Sequence, residues 1–197
     1  MRHIKLLSAI LFAGLLAACA AEDKPQLCEG KGKNLIEDPG FTTVGGSRRE
    51  RKWLASEHGA GGSFEHSVNN GVLTIKKTGV EPWFLFSQMI DRKDIKGKKF
   101  VYGAEIKLNV KPDSGNHAFK QGAGLTLTAF QNNKPVVRSM MDHEPHLGTT
   151  EWESVQTVVE LPMGVEAVRV GIVHQAKGTI RVRKPYLKRI SKSDCTD

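Results

Sequence analysis

The sequence has no long stretch in which apolar residues recur at the helical period, so a helical bundle is excluded. It has no Gly-x-Ser-x-Gly elbow and no cysteine set beside a general base, which leaves no hydrolase nucleophile motif. No nucleic-acid recognition motif accompanies the basic charge. There is no internal repeat and no low-complexity block. Cysteine is scarce, at three residues, and aromatic side chains make up only 7% of the chain. Each Trp, Phe and Cys position therefore carries weight.

The longest apolar run lies at the start. Arg2 and Lys5 precede it, residues 6–16 are almost wholly apolar, and Leu16-Ala17-Ala18-Cys19 follows. A membrane-spanning helix needs about 20 apolar residues, so this run is too short to span, and no later run could. A basic start, a short apolar core and a small-residue end read as a secretory signal. The cysteine immediately after the small residues resembles the bacterial lipoprotein signal. That resemblance implies cleavage before Cys19 and acylation of Cys19 (diacylglycerol on the thiol, palmitate on the new amino terminus). By analogy with lipoprotein sorting, Ala20 at the next position implies the outer membrane. Several acyl chains hold a protein stably, where one binds reversibly. With Cys19 lipidated, Cys28 and Cys195 remain, in a compartment where disulfides persist, and a clasp between the two ends of the domain is expected. The alternative is two free thiols.

The chain then divides into a leader over 1–18, a polar tether over 19–33, a domain over 34–192 and a tail over 193–197. As a flexible coil the tether reaches roughly 20 Å. From residue 34 the pattern is strand, turn, strand. Phe100, Tyr102, Ala104, Ile106, Leu108 and Val110 alternate with smaller or polar residues, the clearest period of two in the sequence. Leu125, Leu127 and Ala129 alternate with Thr126, Thr128 and Phe130. Val155 to Val159, Val168 to Ile172 and Ile180 to Arg183 follow the same rule, and Asn70-Gly71 signals a turn into Val72-Leu73-Thr74-Ile75. About eight to ten short strands separated by turn residues predict an all-β antiparallel sandwich or barrel.

Several segments in order resemble jelly-roll carbohydrate-binding modules of families four, nine and twenty-two. They are Asn34-Leu35-Ile36-Glu37-Asp38-Pro39-Gly40-Phe41 as a first strand, Trp53 before a Gly-rich stretch, Pro82-Trp83 ending near Gln88, Thr149-Thr150-Glu151-Trp152, and Gly178-Thr179-Ile180. The resemblance implies a β-sandwich that binds a glycan, without catalysis, on a concave sheet face. By that resemblance Trp83 lines the face, with Phe130, Arg138, His143 and Glu144 as its nearest polar and aromatic equivalents. The alternatives are a core or edge Trp83 and an ordinary polar loop over 138–146. On a strand, Ser87 shares the face of Trp83, and Phe84, Phe86 and Gln88 take the other. The family's structural calcium would fall to Glu37 and Asp38 with backbone oxygens, although Thr42 and Arg183-Lys184 stand where the family has acids.

Other residue sets carry the ingredients of other chemistries. His143 and His146 with Asp142 and Glu144 contain zinc-ligand types, but their spacing suits a helix and Pro145 opposes one. Glu151 and Glu153 flank Trp152 on one strand face, the arrangement a glycosidase pair would need, without that fold's acidic signature. Lys177, Arg181, Arg183, Lys184, Lys188, Arg189 and Lys192 make the last strands basic. Arg181 and Arg183 share one face and predict binding to an acidic envelope polymer, or simply a solubilising surface. An envelope scaffold that binds no sugar is the competing function, and a polysaccharide-degrading enzyme the third.

Overall fold

The computed structural model describes residues 28–59, 61–91, 93, 95, 98–114, 119–140, 145–191 and 195. Cys19, His143 and Glu144 lie outside them. Among the described residues, eleven strands form two antiparallel sheets: β1 (Leu54–Glu57), β2 (Phe64–Asn69), β3 (Val72–Lys77), β4 (Phe84–Asp91), β5 (Lys99–Lys111), β6 (Ala123–Gln131), β7 (Lys134–Met140), β8 (Gly148–Thr149), β9 (Glu153–Glu160), β10 (Ala167–His174) and β11 (Lys177–Arg189). One sheet runs β1-β4-β10-β6-β7. The other runs β2-β3-β11-β5, with β8 and β9 both paired to β5. This is an antiparallel sandwich, one of the two architectures the alternation predicts and the one the resemblance implies.

The alternation is also the core. All six even-numbered residues of β5 from Phe100 to Val110 are buried, as are Leu125, Leu127 and Ala129 of β6 and Val168, Val170 and Ile172 of β10. Successive side chains of a strand point to opposite faces, so the apolar set of each strand meets that of the facing sheet. Tyr102 of β5 crosses the gap and donates its hydroxyl to the Gly171 carbonyl of β10 at 2.8 Å. Full burial pushes its pKa up. At one edge Trp53 stacks on Phe86 with ring centroids 5.6 Å apart, and Phe41 tilts against both.

Two hairpins have positive φ at both turn residues, Asn70-Gly71 and Asn132-Asn133. That is the turn whose twist matches paired strands. The second hairpin leads into β7, whose residues 138–140 belong to a strand and not to a polar loop over 138–146. Pro135 is tolerated there because β7 is an edge strand with a register shift at that point.

The expected first strand over 34–41 does not form. Asn34 and Leu35 lie alongside the end of β11, where a bulge between Arg183 and Tyr186 disrupts the ladder. Pro185 lies in this bulge and Lys184 has φ 53°. β3 pairs only as far as Val182, so the following backbone of β11 lacks a strand on that side. The Asn34 side chain takes its place, donating to the Pro185 carbonyl and accepting from the Leu187 N–H at 3.0 and 2.9 Å. One amide side chain thus satisfies main-chain groups that a bulged strand leaves open.

Cys28 and Cys195 are disulfide-bonded across a sequence separation of 167. In the chain-entropy model so long a loop is worth about 5 kcal/mol. Lys31 bridges Arg189, and Gly30 packs on Lys188 and Val101. Residues 28–33, expected as the end of a tether, are therefore docked on the sandwich. Pairing to β11 and the disulfide outweigh their polar composition.

Candidate functional site

The outward face of the five-stranded sheet follows from parity and register. In β4, Phe84, Phe86 and Gln88 are buried inward, so Leu85, Ser87 and Met89 face out. Across the sheet, Ser87 lies opposite Gly171, which lies opposite Thr126. Met89 lies opposite Arg169, which lies opposite Thr128, which lies opposite Arg138. A Cβ at Gly171 would press on Leu85, Thr126 and the Phe86 carbonyl, so glycine keeps the middle of this face low.

Phe130 sits one step along β6 from Thr128 on the same face. Its ring is half-buried, with the Arg169 guanidinium 5.3 Å from the centroid. Arg169 is half-buried, Arg138 is exposed and Thr128 is buried between them. Among the described residues, neither arginine has a carboxylate partner. The nearby acids are engaged elsewhere: Asp91 with Lys93 at 3.8 Å, and Glu166 with the Asn132 N–H at 2.9 Å.

Trp83 does not join this cluster. It precedes β4 on the outward side, half-buried, and its carbonyl accepts from the His58 N–H. The His58 ring stands edge-on to it at 6.0 Å and is held by Glu81 at 2.6 Å. The register places Trp83 and Phe130 at opposite ends of the sheet, about 25 Å apart along the strands. The structure thus brings Phe130 and Arg138 together, leaves Trp83 remote, and adds Arg169. Sequence reasoning missed Arg169. Its signal was a charged residue at an outward position between Val168 and Val170, uninformative until β10 is known to lie between β4 and β6.

The outward face of the six-stranded sheet is arranged differently. Arg183 stacks over Trp152 at 4.2 Å and donates to Glu105 at 2.6 Å, and Lys184 reaches the same carboxylate at 2.6 Å. Lys184, then Arg183, hold the Glu105 carboxyl below its ordinary range against slight burial. Glu151 pairs with Lys107 at 2.6 Å. Arg181 is exposed opposite Lys107 and Thr74, and no carboxylate meets it among the described residues. Arg181 and Arg183 share a face as expected, but Arg183 is already committed.

The oxygens proposed for calcium are occupied as well. Asp38 accepts from the backbone N–H and hydroxyl of both Thr42 and Thr43 at 2.7–2.8 Å. Burial raises the Asp38 pKa, and those four hydrogen bonds override it and bring it down. Glu37 pairs with Lys52 at 2.5 Å, which lowers its pKa. The Glu37 carbonyl accepts from the Gln88 amide at 2.7 Å, and the Asp38 carbonyl from the Trp53 indole at 3.0 Å. This donor-filled set does not fit a hard cation, which needs six or more oxygens turned toward it. Among the described residues no three His, Cys, Asp or Glu gather into a metal-holding group.

At one end of the sandwich Asp113 bridges Lys77 and Lys177, both at 3.0 Å. The Lys77 side chain is only 2% exposed. Lys177 and then Lys77 hold Asp113 well below the usual carboxylate range. Nearby His174 is fully buried, and burial pulls its pKa down to about 4 against its hydrogen bond to Gly178.

Comparison with solved structures supports the same architecture. Over 80% of its length the chain superposes on the enzymatically active domain of tailspike protein 4 from bacteriophage CBA120, at TM-score 0.55 and 14% identity. It spans about a fifth (21%) of that longer chain. A family 4 carbohydrate-binding module, CBM4, is matched over 78% of this chain and 98% of that one, at TM-score 0.51 and 14% identity. The CBM22-1 xylan-binding domain of Paenibacillus barcinonensis Xyn10C is matched over 70% and 85%, at TM-score 0.45 and 13% identity, too distant to carry an argument. No family model and no curated protein matches the chain. At these identities the likeness concerns fold alone: the domain is a sandwich built like a carbohydrate-binding module.

Proposed function

We propose that the protein is an exported lipoprotein, acylated at Cys19 and held at the outer membrane, whose sandwich binds a glycan without catalysing its cleavage. One observation carries the binding reading. On the outward face of the five-stranded sheet, a half-buried Phe130 ring stands beside Arg169, Thr128 and Arg138, around a floor kept low by Gly171. A saccharide needs an apolar platform for its C–H face and fixed polar groups for its hydroxyls, and this face supplies both. The CBM4 likeness is in keeping with that use of the fold, which serves many functions.

Export is supported by the leader and by the Cys28–Cys195 disulfide, a bond that persists in oxidising compartments. In this reading the leader ends at residue 18, and a short tether joins Cys19 to the disulfide.

A glycan array with the detergent-solubilised protein tests the binding. Binding to at least one glycan, lost in Phe130→Ala, supports the site. Binding unchanged in Phe130→Ala but lost in Trp83→Ala moves it to the other end of the sheet. Binding to no glycan removes the reading in favour of a scaffold. Metabolic labelling with a fatty acid, abolished by Cys19→Ser, tests the anchor.

A further inference from the structure

We infer that the ligand of this face is anionic: a saccharide carrying a carboxylate, sulfate or phosphate, seated over Thr128 and clamped between Arg169 and Arg138. The inference rests on the glycan-binding reading and names the ligand class for the same site.

The geometry carries it. Arg169, Thr128 and Arg138 are in register on three adjacent strands, β10, β6 and β7. Neighbouring strands lie about 4.8 Å apart, so the two arginine backbones are about 10 Å apart, with the threonine between them. Two guanidiniums on one face repel each other, and a fold that needed them only for stability would place a carboxylate across from each. Here the residues across from Arg169 are Met89 and Thr128. Asp91 and Glu166 meet Lys93 and the Asn132 N–H, and neither pairs with either arginine.

Arg169 is also preorganised. It lies half-buried against the Phe130 ring at 5.3 Å, a contact that restricts the side chain and lessens the entropy lost on binding. A guanidinium presents parallel N–H groups that match a carboxylate, sulfate or phosphate edge. Neutral sugars bring hydroxyls only and would leave both guanidiniums without a carboxylate among the described residues. A uronic acid, or a sulfated or phosphorylated sugar, would supply the missing charge while its ring packs on Phe130.

Calorimetry on the detergent-solubilised protein tests this with an oligogalacturonate, a sulfated oligosaccharide, a phosphorylated oligosaccharide and neutral xylotetraose as probes. The expected result is binding of at least one anionic probe, weakened by high salt and by roughly tenfold or more in Arg169→Gln and in Arg138→Gln. Arg138 is exposed, so its variant keeps the test valid if Arg169→Gln fails to fold. Which anionic probe binds identifies the source of the charge. Tighter binding of xylotetraose, dependent on Phe130, overturns the anionic class and leaves glycan binding intact. Anion binding that survives both variants and is lost in Arg181→Gln places the site on the other sheet and overturns the clamp. If no probe binds, the clamp falls for these ligands, and silence across the glycan array as well removes the glycan reading itself.

Discussion

Each outer face of the sandwich sets an arginine against an aromatic ring, Arg169 on Phe130 and Arg183 on Trp152. Across from Arg183 in the ladder stands Glu105, and the two bond at 2.6 Å. Across from Arg169 stand Met89 and Thr128. The rings and cations are alike, and the cross-strand neighbour differs. A cation with a carboxylate opposite it is spent on the fold, while one facing a thioether and a hydroxyl keeps its charge for something outside. The interior gives the limiting case: Lys77, almost wholly buried, is paired to Asp113.

The largest expected effect concerns that limiting case. Asp113→Asn leaves Lys77 buried without its counter-ion and should destabilise the domain by about 3–5 kcal/mol, read from the urea midpoint. Its pH dependence follows from the direction of the shift. Asp113 is depressed in the fold, so its contribution is full above the unfolded value and fades as pH falls below about 4. His174, drawn down to about 4, costs stability earlier, because below about 6.5 the unfolded chain takes up a proton that the fold refuses. Asp113→Asn should flatten only the lower limb. A variant whose acid curve parallels the wild type would refute the pairing.

Next comes Met89→Glu, at an exposed position directly opposite Arg169. It recreates on the five-stranded sheet the relation that Glu105 has to Arg183. It should raise stability by up to about 1 kcal/mol and weaken anionic saccharide binding roughly tenfold. Unchanged affinity would break the comparison. The smallest effect is expected at Glu105→Gln. Its partners are partly exposed, so the loss should stay near 1 kcal/mol, with saccharide binding unaltered. A loss of binding there would show that the two faces are coupled.

Much of the fold was legible because strand periodicity is a local signal. The even-numbered face of β5 could be read residue by residue, and so could the inward Phe84, Phe86 and Gln88 of β4. Where the local signal was mixed, tertiary packing decided. Residues 34–41 look like a strand, yet the bulge at Pro185 claims Asn34 as a side-chain partner instead. β7 hid behind Asn132-Asn133 and Pro135, a turn and an edge proline that blur the alternation. The candidate site was half legible. Phe130 and Arg138 were named, Trp83 lies at the far end of the sheet, and Arg169 could not be singled out.

By itself the sequence determined the all-β class, the facing of the long strands and two cysteines that could pair. These depend on composition and on a period of two, which any short window contains. Only the tertiary structure decided strand order, and strand order decides which side chains stand across from one another. That is why the pairing of Arg183 with Glu105, and the absence of a carboxylate opposite Arg169, could not be read along the chain. Cross-strand contacts join residues far apart in sequence, and nothing local in either segment records the partner.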